Sequence, residues 1–151
     1  MPHLPDSFTF AEPCAGDGRL ADHLAKLSSG TASALSLCDI EPQRHDVEQR
    51  DALELVVPHK TDYIITNPPW DRKILHPLIE HFVQQRPTWL LFDANWMFTK
   101  QAAPYLTHCK KIVTVGRVKW IEDSAMSGKD DSCWYLFEKS WFGATQFYGR
   151  Q

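Results

Sequence analysis

The segment Thr66-Asn67-Pro68-Pro69-Trp70 combines residues that share one chemical competence. Proline fixes its own φ and pushes the residue before it to extended geometry. Two in succession therefore hold the Asn67 amide and the Pro68 carbonyl as rigid acceptors beside an indole face. A planar ring bearing an amino group fits: its two N–H bonds meet the two oxygens, the nitrogen lone pair is left to attack, and Trp70 stacks on the ring. The competing reading is a Pro-Pro loop breaker with Trp70 in the core. Arrival directly after the apolar run Tyr63-Ile64-Ile65-Thr66 and directly before a helical run favours the first.

Three other places carry pointed chemistry. Glu12-Pro13-Cys14-Ala15-Gly16-Asp17-Gly18 has two glycines two apart, which permit a tight turn and a close approach to backbone. By itself this is also a plain strand-to-helix turn. It is not the full dinucleotide fingerprint, and no Gly-Lys-Ser/Thr follows to make a phosphate loop. Asp39, in Cys38-Asp39-Ile40-Glu41, lies about twenty residues beyond the glycines, where an acidic side chain accepts from ribose hydroxyls; the alternative is a cap on the next turn. Asp51, in Arg50-Asp51-Ala52-Leu53, is either an acceptor for an exocyclic adenine amine or a helix cap.

Alternating elements must position these groups. The pattern predicts strands over Thr9 to Glu12, Ala32 to Asp39, Asp46 to Arg50 (weak), Thr61 to Thr66 and Thr88 to Asp93. It predicts helices over Asp17 to Ser28, Arg72 to Gln84 and about Thr99 to Thr107. Later strands are expected over Lys111 to Val115, Val118 to Ile121 and Cys133 to Glu138, the last two joined as an antiparallel hairpin. Strands alternating with helices argue for an α/β fold with a mostly parallel sheet covered on both faces. Ligands in such a sheet bind beyond the carboxyl ends of the strands.

The series Phe10-Ala11-Glu12-Pro13-Cys14-Ala15-Gly16-Asp17-Gly18, Asp39-Ile40, Asp51-Ala52 and Asn67-Pro68-Pro69-Trp70, in this order and spacing, resembles the class I S-adenosylmethionine-dependent methyltransferases. The similarity is to their amino-methylating branch, typified by DNA adenine-N6 methyltransferases and most of all by the small phage and prophage enzymes. It spans residues 9 to about 139. It implies a Rossmann-like, three-layer α/β/α fold with a seven-stranded sheet and an antiparallel last strand. It implies S-adenosylmethionine contacts from Phe10, Glu12, Pro13, Cys14, Ala15, Gly16 and Gly18 around the methionine part, Asp39 on the ribose, Ile40 and Ala52 beside the adenine, Asp51 on its amine, and Asn67. Asn67, Pro68, Pro69 and Trp70 are the expected catalytic group. Carbon-5 methylation of cytosine is disfavoured, because the sole Pro-Cys pair, Pro13-Cys14, lies inside the glycine turn.

The 151 residues, 43% hydrophobic and 23% charged, predict one globular domain over 1–151. No apolar run reaches membrane-spanning length and the start lacks a signal peptide, so a cytoplasmic location, in a bacterium or a phage-infected host, is expected. Cys14, Cys38, Cys109 and Cys133 form no Cys-x-x-Cys pair and read as reduced thiols, and the seven histidines show no metal-ligand spacing. Residues 1–75 carry seven Lys/Arg and twelve Asp/Glu, a balance of −5, against nine and seven, or +2, in 76–151. A nucleic acid would therefore meet the second half, where Lys110, Lys111, Arg117, Lys119 and Trp120 make either a basic aromatic strip for its backbone or the outer face of an edge strand. Arg117, Lys119 and Trp120, with Trp70, are the expected substrate contacts.

Departures from the family pattern matter too. Few residues precede the first strand, too few for the extra helix that completes the cofactor pocket in many members, and the tail from Phe142 to Gln151 could replace it only in part; an open pocket is expected. No block is large enough for a target-recognition domain, and the longest loop, Glu122 to Ser132, reads as a mobile lid or an ordinary connection. DNA adenine is the expected acceptor. RNA guanine or adenine amino groups, a protein glutamine, and a non-catalytic cofactor-binding subunit or decoy are the alternatives, with room for a homodimer or a specificity partner.

Overall fold

The computed structural model describes residues 2–117 and 130–150. Eight strands form one sheet: β1 (Phe8–Glu12), β2 (Ala32–Asp39), β3 (Glu48–Gln49), β4 (Tyr63–Thr66), β5 (Thr88–Asp93), β6 (Cys109–Arg117), β7 (Asp131–Phe137) and β8 (Gln146–Tyr148). Their spatial order is β3-β2-β1-β4-β5-β7-β6-β8. β7 is antiparallel to β5 and β6, and all other pairs are parallel. The chain winds outward from β1 to β3 and restarts on the other side at β4, so the switch point lies between the ends of β1 and β4. A crevice opens at such a point.

β5 is buried along nearly its whole length and β4 along most of it, the pattern of parallel strands with cover on both faces. On one face Leu75, Leu78, Ile79 and Phe82 of α2 (Arg72–Val83) pack with Ile64, Leu90 and Phe92. The Phe92 and Tyr135 rings stack at 4.2 Å and Trp96 meets both edge-on, at 5.0 and 5.4 Å, which ties β5 to its antiparallel partner. The Tyr135 hydroxyl donates to the Asp93 carbonyl at 3.0 Å. Each fully buried large side chain of this cluster contributes about 1.5–3 kcal/mol. On the other face α1 (Arg19–Leu27) sets Ala21 and Leu24 on Phe8, Phe10, Ile65 and Trp89. α3 (Ala103–Leu106) follows β5 after two short 3-10 turns.

The resemblance implies seven strands; the described residues hold eight, because Gln146–Tyr148 in the tail pairs with Lys111–Val113 of β6. The tail thus extends the sheet, and the antiparallel strand is β7, last but one in the chain. β6 is consequently an inner strand, which removes the edge-strand reading of its lysines. It runs from Cys109 to Arg117 with two register shifts against β7. The expected strand Val118 to Ile121, the loop residues 122–129 and with them Lys119 and Trp120 lie outside the described residues, whereas Asp131 and Ser132, expected in that loop, start β7. β7 does pair antiparallel, with β6, the strand expected over Lys111 to Val115.

Candidate functional site

The ends of β1, β2 and β4 are bound to one another before any ligand arrives. The Cys14 N–H is held by the buried Thr66 hydroxyl at 3.2 Å, and the Ala15 N–H by the Cys38 carbonyl at 2.9 Å. Gly16 and Gly18 have φ of +54° and +75°, values that L side chains rarely adopt, and this lets the turn fold back into α1. Asp39 accepts the Gly16 N–H on Oδ2 at 2.8 Å and the Glu41 N–H on Oδ1 at 2.9 Å. It is therefore a cap, and one that joins the glycine turn to the end of β2. Each carboxylate oxygen has a second lone pair, so this capping is compatible with a hydroxyl ligand.

A cavity of about 660 Å³ lies at this end of the sheet. Pro13, Cys14, Asp39, Ile40, Asp51, Ala52, Asn67, Pro68, Pro69 and Trp70 all line it, so residues from four separate strand ends converge. Asp51 caps the 3-10 turn Ala52–Glu54 by accepting the Leu53 N–H at 2.9 Å. The rear of α2 pins that wall: Gln85 accepts the Val57 N–H and donates to the Leu55 carbonyl, both at 2.9 Å. Asp71 caps α2 through the Lys73 N–H, which starts the helix right after Trp70. Trp70 donates its indole N–H to Asn67 Oδ1 at 3.3 Å.

Other expected contacts lie elsewhere. Phe10 does not line the cavity: strand alternation turns its ring into the core under α1, where it is fully buried. Glu12, Ala15, Gly16 and Gly18 form the floor of the turn behind Pro13 and Cys14 without lining the cavity. Arg117 sits at the carboxyl end of β6, 4.0 Å from Asp131, on the same edge of the sheet as the cavity and three strand spacings, roughly 14 Å, from β4. Leu53, Lys73, Ile74 and Leu78 line the cavity without having been expected. A helical reading from Trp70 onward would have found Lys73 and Ile74, three and four positions on. Leu53 adjoins Asp51-Ala52. Ile40 is 64% exposed, and Leu53 and Ile74 are exposed beside it, so the rim is open.

Electrostatically the turn is unusual. Glu12 is 2% exposed, and burial pushes its carboxyl up to about 8, against the opposing pull of an Ala21 backbone hydrogen bond and the Arg44 charge. Its Oε2 has no hydrogen-bond partner among the described residues. Burial, with the Asp39 charge second, lifts the Cys14 thiol to about 12, which removes it as a nucleophile. Among the described residues no cluster of three or more His, Cys, Asp or Glu could hold a metal ion, and no helix is long and apolar enough to cross a membrane.

No protein-family model matches the sequence, and no curated protein matches it. Solved structures do. One described as a class I S-adenosylmethionine-dependent methyltransferase, from Listeria monocytogenes, superposes with a TM-score of 0.65 at 10% identity, over 97% of this chain and 59% of its own. A dimethyladenosine transferase from Plasmodium falciparum gives 0.56 at 20% identity, over 91% and 57%. A structure described as a type I restriction enzyme modification subunit, from Vibrio vulnificus YJ016, gives 0.56 at 12%, over 94% and 42%. The fold is therefore the Rossmann-like fold of class I methyltransferases, and the chain spans 59% or less of the length of these three similar structures.

Proposed function

We propose that this chain is an S-adenosylmethionine-dependent N-methyltransferase acting on N6 of adenine in DNA, with all 151 residues forming a single catalytic domain. The observation that carries the reading is the convergence of Asp39, Asp51 and Asn67-Pro68-Pro69-Trp70 on one cavity at the switch point. The donor set fits the cofactor at each end. Asp39 would take the ribose hydroxyls, Ile40 and Ala52 would offer apolar surface, Asp51 would accept from the adenine amine, and the unpartnered Glu12 oxygen behind the glycine turn would meet the methionine ammonium. When bound, S-adenosylmethionine supplies a methyl group on a sulfonium sulfur, electrophilic enough to need no covalent enzyme intermediate.

The residues of the chain have positioning to do. Asn67 Oδ1 and the Pro68 carbonyl accept hydrogen bonds from the two amine N–H groups, so the nitrogen presents its lone pair along the remaining direction. Trp70 takes the face of the base, which must be flipped or single-stranded to enter. Once nitrogen is methylated, a proton passes from it to solvent. The name of one similar structure, a dimethyladenosine transferase, supports the acceptor class. Arg117, Lys119 and Trp120 are proposed to meet the nucleic-acid backbone. A partner that reads sequence would work with this chain, in the cytoplasm.

Asn67→Ala should lower methyl transfer at least about 100-fold, as expected for loss of a positioning acceptor, while S-adenosylmethionine binding is retained. Tritiated transfer to DNA, RNA and protein, followed by nucleoside analysis for N6-methyladenosine, decides the acceptor. Loss of cofactor binding together with transfer would remove the assigned role.

A further inference from the structure

Asn67 can serve as an amine acceptor only if its carboxamide is turned the right way. The amide oxygen and nitrogen are nearly isosteric, and a flip of about 180° would aim two N–H donors at a group that itself offers only N–H bonds. The prolines that follow fix the backbone, but they leave the terminal torsion of Asn67 free, and that torsion is intrinsically broad. Something outside the backbone must choose the orientation.

The indole N–H of Trp70 makes that choice. It is a donor with no acceptor capacity, so it can pair with Oδ1 and never with the amide nitrogen. The two side chains meet at 3.3 Å across three positions, in a part-buried setting where a lost donor costs more than it would in water. We propose that Trp70 is a positioning residue: its N–H holds Asn67 Oδ1 toward the acceptor amine, in addition to any stacking by its ring. The carbonyl oxygen has two lone pairs, so it can keep the indole and still receive an amine proton. This assignment rests on the N-methyltransfer reading above, and it distinguishes Trp70 from phenylalanine or tyrosine at the same place. Each of those offers a comparable aromatic face, yet neither has a donor at the Nε1 position.

The test removes the donor and keeps the ring. Tryptophan 70 is replaced by its benzothiophene analogue, in which sulfur stands for N–H, with Trp70→Phe and Trp70→Tyr alongside. The expected result is a kcat at least about tenfold lower, with KM for DNA and the cofactor Kd within about twofold of the parent. A readout without turnover is the Trp70 indole ¹H–¹⁵N resonance, identified by its loss in Trp70→Phe. In Asn67→Ala it should move and exchange at least about tenfold faster with solvent. A benzothiophene variant with parental kcat, or an indole resonance indifferent to Asn67→Ala, would overturn the proposal. If the parent chain methylates no acceptor, the functional reading falls, and the indole resonance still decides whether Trp70 holds Asn67.

Discussion

Glu12 shows how a single side chain can carry both stability and binding. Its carboxyl is held protonated at neutral pH because burial costs the charged form more than Ala21 and Arg44 return. An ordinary unfolded glutamate ionises near 4.5, so between there and about 8 the unfolded chain has fewer protons than the folded one. Stability linked to this group is then present in full below about 4.5 and is lost as the pH rises toward 8, on the order of 5 kcal/mol in total. Glu12→Gln should flatten that fall, as read by urea denaturation at pH 5 and pH 8. It should also remove any pH dependence of cofactor affinity that comes from Glu12 releasing its proton to solvent when a cation binds beside it. Side chains that end strands were legible in the sequence, since their chemistry is tied to where a strand stops. Phe10 came from the motif that carries the resemblance, and the alternation of β1 turns its ring into the core and away from the cavity lining.

At the scale of elements, the glycine turn and the connection after β2 act as one unit. Arg44 lies across Gly18 and pairs with Asp22 of α1 at 2.7 Å and with Asp46, while the Gln43 N–H donates to the Gly16 carbonyl at 3.0 Å. A Cβ on Gly18 would meet the guanidinium of Arg44, on top of the strain of φ +75°. Gly18→Ala should therefore destabilise the fold by more than the roughly 1 kcal/mol of backbone strain, and only that strain should remain in an Arg44→Ala background. A double-mutant cycle by thermal or chemical denaturation measures the difference, and equal costs in both backgrounds would place the whole effect in the backbone. Elements were legible where periodicity is strong: Ala32–Asp39 and Thr88–Asp93 occupy the very residues expected of them. β8 was not, because Gln146-Phe147-Tyr148 is too short to show a period and becomes a strand only by pairing with β6.

For the molecule as a whole, the charge asymmetry has a structural sequel. Of the cations in residues 76–151, Lys110 is held by Glu138 at 2.9 Å, Arg117 faces Asp131 at 4.0 Å, and Arg86 is spent on the carbonyls of Thr61, Gln85 and His59. Lys110 also lies over the Trp141 ring and Lys111 over Tyr148. A phosphate backbone would have to compete with these partners, so each contact releases less than a free lysine would. Counterion release gives a slope of about −0.9 per phosphate neutralised in a plot of log affinity against log salt. With Arg117 and Lys119 as the proposed contacts, the slope for duplex DNA should be no steeper than about −3, and affinity at physiological salt should stay in the weak, non-specific range of roughly 10⁻⁴ to 10⁻⁶ M. Fluorescence anisotropy with a labelled 20-base-pair duplex between 50 and 200 mM salt measures both. A slope beyond about −5 would mean a basic surface larger than these residues provide, and sequence-selective binding by the isolated chain would count against the proposed partner that reads the target.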